Sequence, residues 1–254
     1  MNEATLVSTV GIVVALASEA RALTTRKVHS GRIIPLAGGA GLWLSGMGPA
    51  AARNAAQALA NSGATALAVF GVAGALDSGL RSGTLFCPER ILDDNGQGYA
   101  PDPTWRLSLL QQLAAATLPI LETGKLLSMP MPLLTTAAKT AARDRYAAAA
   151  VDMESAAVAE IARDHGLPFV VLRVIIDELH DTVPAALHAS VDAWGRPRLL
   201  RLMASLGRHP SLFAHLPDLH KRMSLALRTL RAAGEAASPA LGWDKWLAVT
   251  PRST

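Results

Sequence analysis

Short apolar runs, each bounded by glycine or a charged residue, alternate with alanine-rich stretches along most of this 254-residue chain. Runs of this length predict β-strands that are buried on both faces. The alanine-rich stretches carry helix boundaries, because Pro49 opens one over 49–61 and Gly166 ends another over 152–165. The alternation predicts a three-layer α/β domain, which we place at residues 1–190. The runs are VGIVVALA (10–17), GLWLSG (41–46), ALAVFGVAG (66–74), GTLFCPERIL (83–92) and PFVVLRVIID (168–177).

Composition excludes several classes of protein. Hydrophobic residues make up 50% of the chain and charged residues 17%, which excludes a disordered chain. Cys87 is the only cysteine, so there is no disulfide framework, and the histidines show no metal-ligand spacing; we therefore predict no metal. The apolar run 5–17 has no Lys or Arg before it and is too short to span a bilayer, so we expect a buried first strand in a cytoplasmic protein.

Residues 191–254 form a predicted helical extension in which basic and apolar residues are mixed. Between Arg196 and Arg231 there are eight Lys or Arg and one acid, Asp218. This pattern is typical of a helical cap or dimerisation arm, and also of an interfacial helix that binds an anionic membrane surface. No recognised nucleic-acid motif accompanies the charge, and aromatic residues are only 4% of the chain, so we expect no nucleic-acid partner.

Carboxylates follow the ends of predicted strands. Asp177 ends the last apolar run and Glu19 follows the first. The carboxyl ends of parallel strands face the ligand crevice, so both side chains can reach a site there. Asp152 and Glu154 lie at a predicted helix start, where the helix dipole favours acids. Simple capping acids and a solvated loop residue at 177 explain the same pattern, so spacing alone leaves both interpretations open.

Two glycine-rich segments, SGMGPAAA (45–52) and FGVAGALDSGLRSG (70–83), follow predicted strands. Neither matches the dinucleotide-binding or P-loop pattern. Their small residues would let a ligand approach the backbone, and tight turns would use them equally well.

Taken together and in order, these segments resemble the purine nucleoside phosphorylase/uridine phosphorylase superfamily, and within it the 5′-methylthioadenosine/S-adenosylhomocysteine nucleosidases. The resemblance extends from about residue 10 to 180 and is weak over 93–145. It implies a three-layer α/β/α fold with a mixed, mostly parallel central sheet, and it implies a homo-oligomer. The predicted C-terminal helical extension continues about 60 residues beyond the usual end of the nucleosidases. The segments that carry the resemblance are GIVVALASEA, LSGMG, GVAGAL with LRSGTLF, VDMES and LPFVVLRVIID.

The resemblance also implies a mechanism. The family breaks the bond between adenine and the ribose C1′ through a transition state with oxocarbenium character. By position in the motifs, Asp177 matches the acid that protonates purine N7. Glu19 matches the base that activates the attacking water, and Arg173 matches its orienting partner. Glu154 matches the carboxylate that binds the ribose hydroxyls, and Met153 the residue packed against the sugar.

Other expected substrate contacts are apolar. Val72, Ala73 and Gly74 belong to the GVAGAL turn, where a ligand would lie against the backbone. The segment LLSMPMPLL (126–134) falls near the expected base-contacting loop, and Met129, Met131 and Pro132 are candidates for lining the mouth of the site. A plain core strand would explain that segment as well.

Two departures from the family pattern bear on the nucleophile. Val72 stands where the nucleosidases usually have serine, and Val69 and Val72 stand where the phosphorylases usually place arginine and serine. A phosphate site needs hydrogen-bond donors, so the valines favour hydrolysis, as does the negative charge of Glu19. We expect no cofactor, but inorganic phosphate as a co-substrate stays open. Arginines elsewhere that could bind it are Arg21, Arg53 and Arg81.

The start of the extension, GRPRLLRLM (195–203), also resembles the hopanoid-associated phosphorylases. That resemblance implies cleavage of adenosylhopane to adenine and ribosyl-hopane, by hydrolysis or phosphorolysis. A lipid-linked nucleoside would require contact with the inner face of the membrane, for which residues 196–231 are the candidate. Two alternatives stay open: a soluble methylthioadenosine/adenosylhomocysteine nucleosidase with a structural tail, and a non-catalytic nucleoside-binding scaffold.

Overall fold

A computed structural model describes residues 9–182, 192–195, 216–237 and 240–243. Within these residues, eleven strands form one sheet and six α-helices pack against it. The strands are β1 (Val10–Val14), β2 (Ile33–Pro35), β3 (Gly41–Leu44), β4 (Ala66–Ala75), β5 (Leu85–Phe86), β6 (Arg90–Leu92), β7 (Gly98–Tyr99), β8 (Ile120–Leu121), β9 (Lys125–Ser128), β10 (Ala150–Asp152) and β11 (Phe169–Asp177). The helices are α1 (Ala17–Leu23), α2 (Pro49–Asn61), α3 (Pro103–Ala115), α4 (Thr136–Tyr146), α5 (Ser155–Asp164) and α6 (Leu216–Ala236).

The long strand β4 lies at the centre of the sheet. It pairs in parallel with β1 on one side and with β11 on the other, and its last residues pair antiparallel with β10. Neighbouring strands across the sheet follow the order β2-β3-β1-β4-β10-β9-β6-β7. Outside this order, β11 also pairs with β5, and β5 pairs with β8. Most of these pairings are parallel, which confirms the predicted mixed, mostly parallel α/β fold.

Two apolar layers cover the two faces of the sheet. Alternate residues of β1 face opposite layers, because side chains in a strand alternate. Val10, Ile12 and Val14 pack with α1, α3 and α6, whereas Val13 packs with α2 and α5. Gly11 allows α2 to approach closely, since a Cβ there would lie 2.8 Å from the Cβ of Leu59.

Local hydrogen bonding moves several predicted element boundaries. Helix α2 spans Pro49–Asn61 as predicted, with proline in its first turn. The run 83–92 instead forms two strands, β5 and β6, separated by Pro88, which has no N–H for a strand ladder. The expected helix 152–165 begins only at Ser155, because residues up to Asp152 extend the sheet as β10.

The C-terminal helix α6 packs into the same apolar layer as α1 and β11. Ala226, Leu230 and Ala233 are fully buried there. The following residues 240–243 pack on α3, where Trp105 donates its ring N–H to the Leu241 carbonyl (2.6 Å). The apolar face of α6 is therefore part of the domain core, and the basic residues Lys221, Arg228 and Arg231 are exposed on its other face.

Much of the predicted extension 191–254 falls outside the described residues, including 196–215, which carry the first half of the basic pattern. The boundary between residues 190 and 191 stays a prediction. Of the helices in the described ranges, none combines the length and the apolar character that crossing a bilayer requires.

We expect Leu230→Ala to lower the free energy of unfolding by about 2–5 kcal/mol, because it leaves a cavity in a fully buried contact. Leu107→Ala is the control, since Leu107 is 56% exposed on α3, and its effect should stay within about 0.5 kcal/mol. Urea denaturation measures both. Equal small effects would mean that α6 is not an integral part of the core.

Candidate active site

A cavity opens where β1, β4 and β11 end, at the carboxyl edge of the parallel strands. Such edges are where open α/β sheets bind ligands. Residues 192–195 lie beside it, because the carbonyl groups of Ala193 and Trp194 accept hydrogen bonds from the backbone of Met47 (2.7 Å) and Ala17 (3.1 Å). Its lining residues are Ala15, Leu16, Met47, Val72, Ala73, Gly74, Pro132, Leu133, Leu134, Val151, Asp152, Met153, Glu154 and Asp177.

Glu19 lies directly behind this lining, in the first turn of α1. Its Oε2 accepts hydrogen bonds from the backbone N–H groups of Ala15 (3.0 Å) and Leu16 (2.8 Å), and its Oε1 accepts one from Val72 (2.9 Å). The side chain is 1% exposed. Burial raises the pKa of Glu19, whereas the nearby Arg173 guanidinium and the three N–H groups oppose that shift.

Arg173 is a buried cation of the site, projecting from the middle of β11 with 1% exposure. Its Nη2 donates to Asp152, to Glu154 (3.2 Å) and to the Ser155 hydroxyl (3.3 Å). Asp152 also accepts hydrogen bonds from the hydroxyl groups of Ser128 and Ser155. One guanidinium group therefore joins the middle of β11 to the end of β10 and the start of α5.

Gly71 of β4 lets Glu19 and Arg173 come together. A Cβ at this position would lie 2.5 Å from Oε1 of Glu19 and 2.6 Å from Nη1 of Arg173, closer than van der Waals contact permits. The absence of a side chain in the centre of the strand is therefore a requirement of the site.

Glu154 connects the VDMES segment to the glycine-rich LSGMG segment. Its Oε1 accepts a hydrogen bond from the backbone N–H of Gly48 (2.9 Å), whose φ of +98° favours glycine. Burial raises the pKa of Glu154 to about 7; repulsion from Asp152 adds to the shift, and attraction to Arg173 opposes it. This carboxyl group therefore titrates near neutral pH.

Asp177 ends β11 and faces the cavity. Its carboxylate packs on the backbone of β4, since a Cβ at Gly74 would lie 3.0 Å from Oδ2. It forms an ion pair with Lys139 of α4, whose side chain is 1% exposed. Burial raises the pKa of Asp177, and the ammonium group of Lys139 opposes that shift.

The structure brings most of the sequence-predicted residues to one place. Met153, Val72, Ala73 and Gly74 form part of the cavity wall, and their contacts with substrate stay predictions. Met131 is not part of the cavity wall, because its side chain is 69% exposed and does not line the cavity. The three residues after it, 132–134, line the mouth instead, because the loop that follows β9 turns Met131 towards solvent.

Lys139 was not predicted from the sequence. It is a single lysine in an alanine-rich helix within 93–145, where the motif resemblance is weak, so no local pattern marks it. The backbone N–H of Gly48 and the hydroxyls of Ser128 and Ser155 were missed for the same reason: their role depends on long-range contacts. Within the part of the chain that the structure describes, no group of His, Cys, Asp and Glu is arranged to hold a metal ion.

Comparisons with known proteins agree with this architecture. The family model described as Phosphorylase superfamily matches residues 11–206. The 5′-methylthioadenosine/S-adenosylhomocysteine nucleosidase of Neisseria meningitidis, solved with methylthio-immucillin-A, is 18% identical with a TM-score of 0.67, over 91% of this chain and 98% of that one. The futalosine hydrolase of Helicobacter pylori is 17% identical with a TM-score of 0.63, over 90% and 98%. At such identities the likeness shows the fold, and no curated protein matches by sequence.

We expect Arg173→Met to lower the free energy of unfolding by about 3–5 kcal/mol at about pH 8, because it leaves buried carboxylates without their cation. The loss should shrink at about pH 5. Arg173 stabilises the ionised carboxylate of Glu154, and this part of its contribution disappears as the pH falls through the folded-state pKa of Glu154, about 7.

Urea denaturation at the two pH values measures this difference. Arg163→Met serves as the control, since Arg163 is exposed, forms an ion pair with the adjacent Asp164 and lies over the Tyr99 ring, away from the buried carboxylates. A loss of the same size at both pH values would contradict the stabilisation of the Glu154 carboxylate by Arg173.

Proposed function

Since this chain belongs to the Phosphorylase superfamily, we propose that it cleaves the N-glycosidic bond of an adenine nucleoside. One observation carries the proposal. Glu19, Glu154 and Asp177 come from distant segments of the chain and meet at one cavity: Glu19 and Asp177 contact residues 71–74 of β4, and Glu154 and Asp177 line the cavity wall.

The charges suit a transition state in which the sugar becomes cationic. The carboxylate of Glu154 faces the cavity beside Met153, where it would accept hydrogen bonds from ribose hydroxyls and stabilise positive charge on the ring. Asp177 would donate a proton to N7 of adenine, so that the base leaves as a neutral molecule. A pKa raised by burial suits that role, because a general acid must hold its proton near the working pH.

Water is the nucleophile that the site favours. A phosphate ion would need free donors, and the backbone N–H groups of Ala15, Leu16 and Val72 already donate to Glu19. Gly48 donates to Glu154 in the same way. Glu19 contacts three backbone groups of the cavity wall, and from there it would take the proton of the attacking water.

The arginines that could bind phosphate lie elsewhere. Arg53 pairs with Glu160 (2.5 Å), and Arg81 pairs with Glu178 (3.4 Å). Neither lines the cavity, and Arg21 donates to a carbonyl group of its own helix. These contacts support hydrolysis over phosphorolysis.

The mouth of the cavity supports an apolar group at the 5′ position of the nucleoside. Leu16, Met47, Leu133 and Leu134 line it, and residues 192–195 border it. Adenosylhopane is the specific substrate that we propose, and the exposed basic face of α6 would then lie towards an anionic membrane surface. The methylthio group of methylthioadenosine is also apolar and would contact the same wall, so it is the alternative.

We expect Asp177→Asn to reduce the rate of adenine release by about 10²–10⁴-fold, because an amide cannot protonate N7. Asp164→Asn is the matched control, since Asp164 is 51% exposed at the end of α5, and it should retain the full rate. Release is followed by chromatography of free adenine. Undiminished release by Asp177→Asn would contradict the assignment of the acid.

Side-by-side rates on adenosylhopane and methylthioadenosine test the substrate, with and without inorganic phosphate. We expect a higher kcat/KM for adenosylhopane and, by mass spectrometry, a ribosyl product without phosphate. Equal or better turnover of methylthioadenosine would refute the lipid substrate. A phosphate-dependent reaction that yields a ribose 1-phosphate would refute hydrolysis.

A further inference from the structure

The ammonium group of Lys139 is buried against Asp177, and no step described above uses it. Its Nζ donates to Oδ2 of Asp177 and to the carbonyl groups of Glu178 (2.6 Å) and Asp181 (3.2 Å). An ammonium group has three donors, so all three are directed at the segment that ends β11 and follows it.

The same segment is held from a second helix. Arg222 of α6 forms an ion pair with Oδ2 of Asp181 (2.7 Å), and that oxygen also accepts the backbone N–H of Glu178 (2.8 Å). The end of β11 is therefore fixed between α4 and α6, and Lys139 is the contact that reaches the carboxyl group facing the cavity.

Stability alone is a weak explanation for this lysine. Removing an ammonium group from water is costly, and an apolar pair of similar volume often serves a protein core as well as a buried ion pair. The side chain of Lys139 is 1% exposed and that of Asp177 is 18% exposed, so one partner is enclosed while the other still reaches the cavity.

We propose that Lys139 is a positioning residue for Asp177, whose ammonium group holds Oδ2 so that Oδ1 faces the adenine base. The inference rests on the proposed function, in which Asp177 is the acid. Within the described residues Oδ1 accepts no hydrogen bond, although Asp177 lines the cavity. An acid with one oxygen fixed and the other open has a single direction in which to deliver its proton.

The ion pair with Lys139 also affects the pKa of Asp177. Burial and Asp181 raise the pKa of Asp177, whereas Lys139 and Arg222 lower it. A step that needs protonated Asp177 is lost as the pH rises through that pKa. Removing the positive charge of Lys139 raises the pKa further, so the loss of activity should move to higher pH.

Lys139→Met tests the inference, because methionine keeps a long unbranched side chain without the charge. We expect kcat to fall at least about tenfold at the pH optimum, and the alkaline limb of the kcat/KM profile to move up by about one pH unit or more. Lys27→Met is the control: Lys27 is exposed between α1 and β2, so its profile should match that of the unchanged protein. A lower kcat at every pH, with the limb unmoved, would overturn the proposal, since that is the effect of a purely structural lysine.

A second measurement tests the contact without depending on adenine release. Urea denaturation of Lys139→Met, Asp177→Asn and the double variant forms a cycle. We expect each single substitution to lower the folding equilibrium constant. The folding equilibrium constant of the double variant should be at least about tenfold higher than the two single effects, combined as independent, would give. If the effects of the two substitutions are independent, the stabilising contact between Lys139 and Asp177 is refuted. If Lys139→Met does not fold, folding of the double variant supports the pair, and failure of both overturns it.

The two measurements separate the inference from the proposed function. A coupled pair in a protein that releases no adenine would refute the function but retain the contact. Adenine release with an uncoupled pair and an unmoved pH profile would refute the role of Lys139 alone.

Discussion

The charge of Arg173 is the interaction on which the site depends. It lies in a strand that is buried on both faces, and its guanidinium group offsets carboxylates that would otherwise repel one another in a medium of low polarity. Glu19, Asp152 and Glu154 reach it from three elements, so this one buried cation determines how α1, β10 and the start of α5 meet around the cavity. The sheet supplies the rigidity, because β11 pairs with β4 along almost its full length.

Patterns of short range predicted the fold well. Apolar runs identified β1, β3, β4 and β11, and proline with glycine marked α2 to the residue. The strand ends also indicated Glu19 and Asp177, because the geometry of a parallel sheet determines where such residues lie. The extent of the first strand was overestimated, since the N–H groups of Ala15 and Leu16 bind Glu19 and not a neighbouring strand.

Contacts between distant segments could not be predicted in the same way. Nothing in the local sequence indicates that Lys139 would meet Asp177 or that Gly48 would donate to Glu154. Met131 was a candidate for the mouth of the site because its segment is apolar. Its side chain is 69% exposed and lies outside the cavity lining, because apolar character does not determine which way a loop residue points. The amphipathic pattern of α6 was correctly recognised, but its apolar face packs inside the domain.

Strand β4 divides the site into positions that tolerate change and positions that do not. At Gly71 and Gly74 the space of a side chain is already occupied by the carboxylates of other elements. Val72 and Ala73 lie between them and line the cavity. Efforts to redesign substrate selectivity along this strand are therefore confined to two adjacent residues, and further variation must come from other lining segments, such as the loop at 132–134.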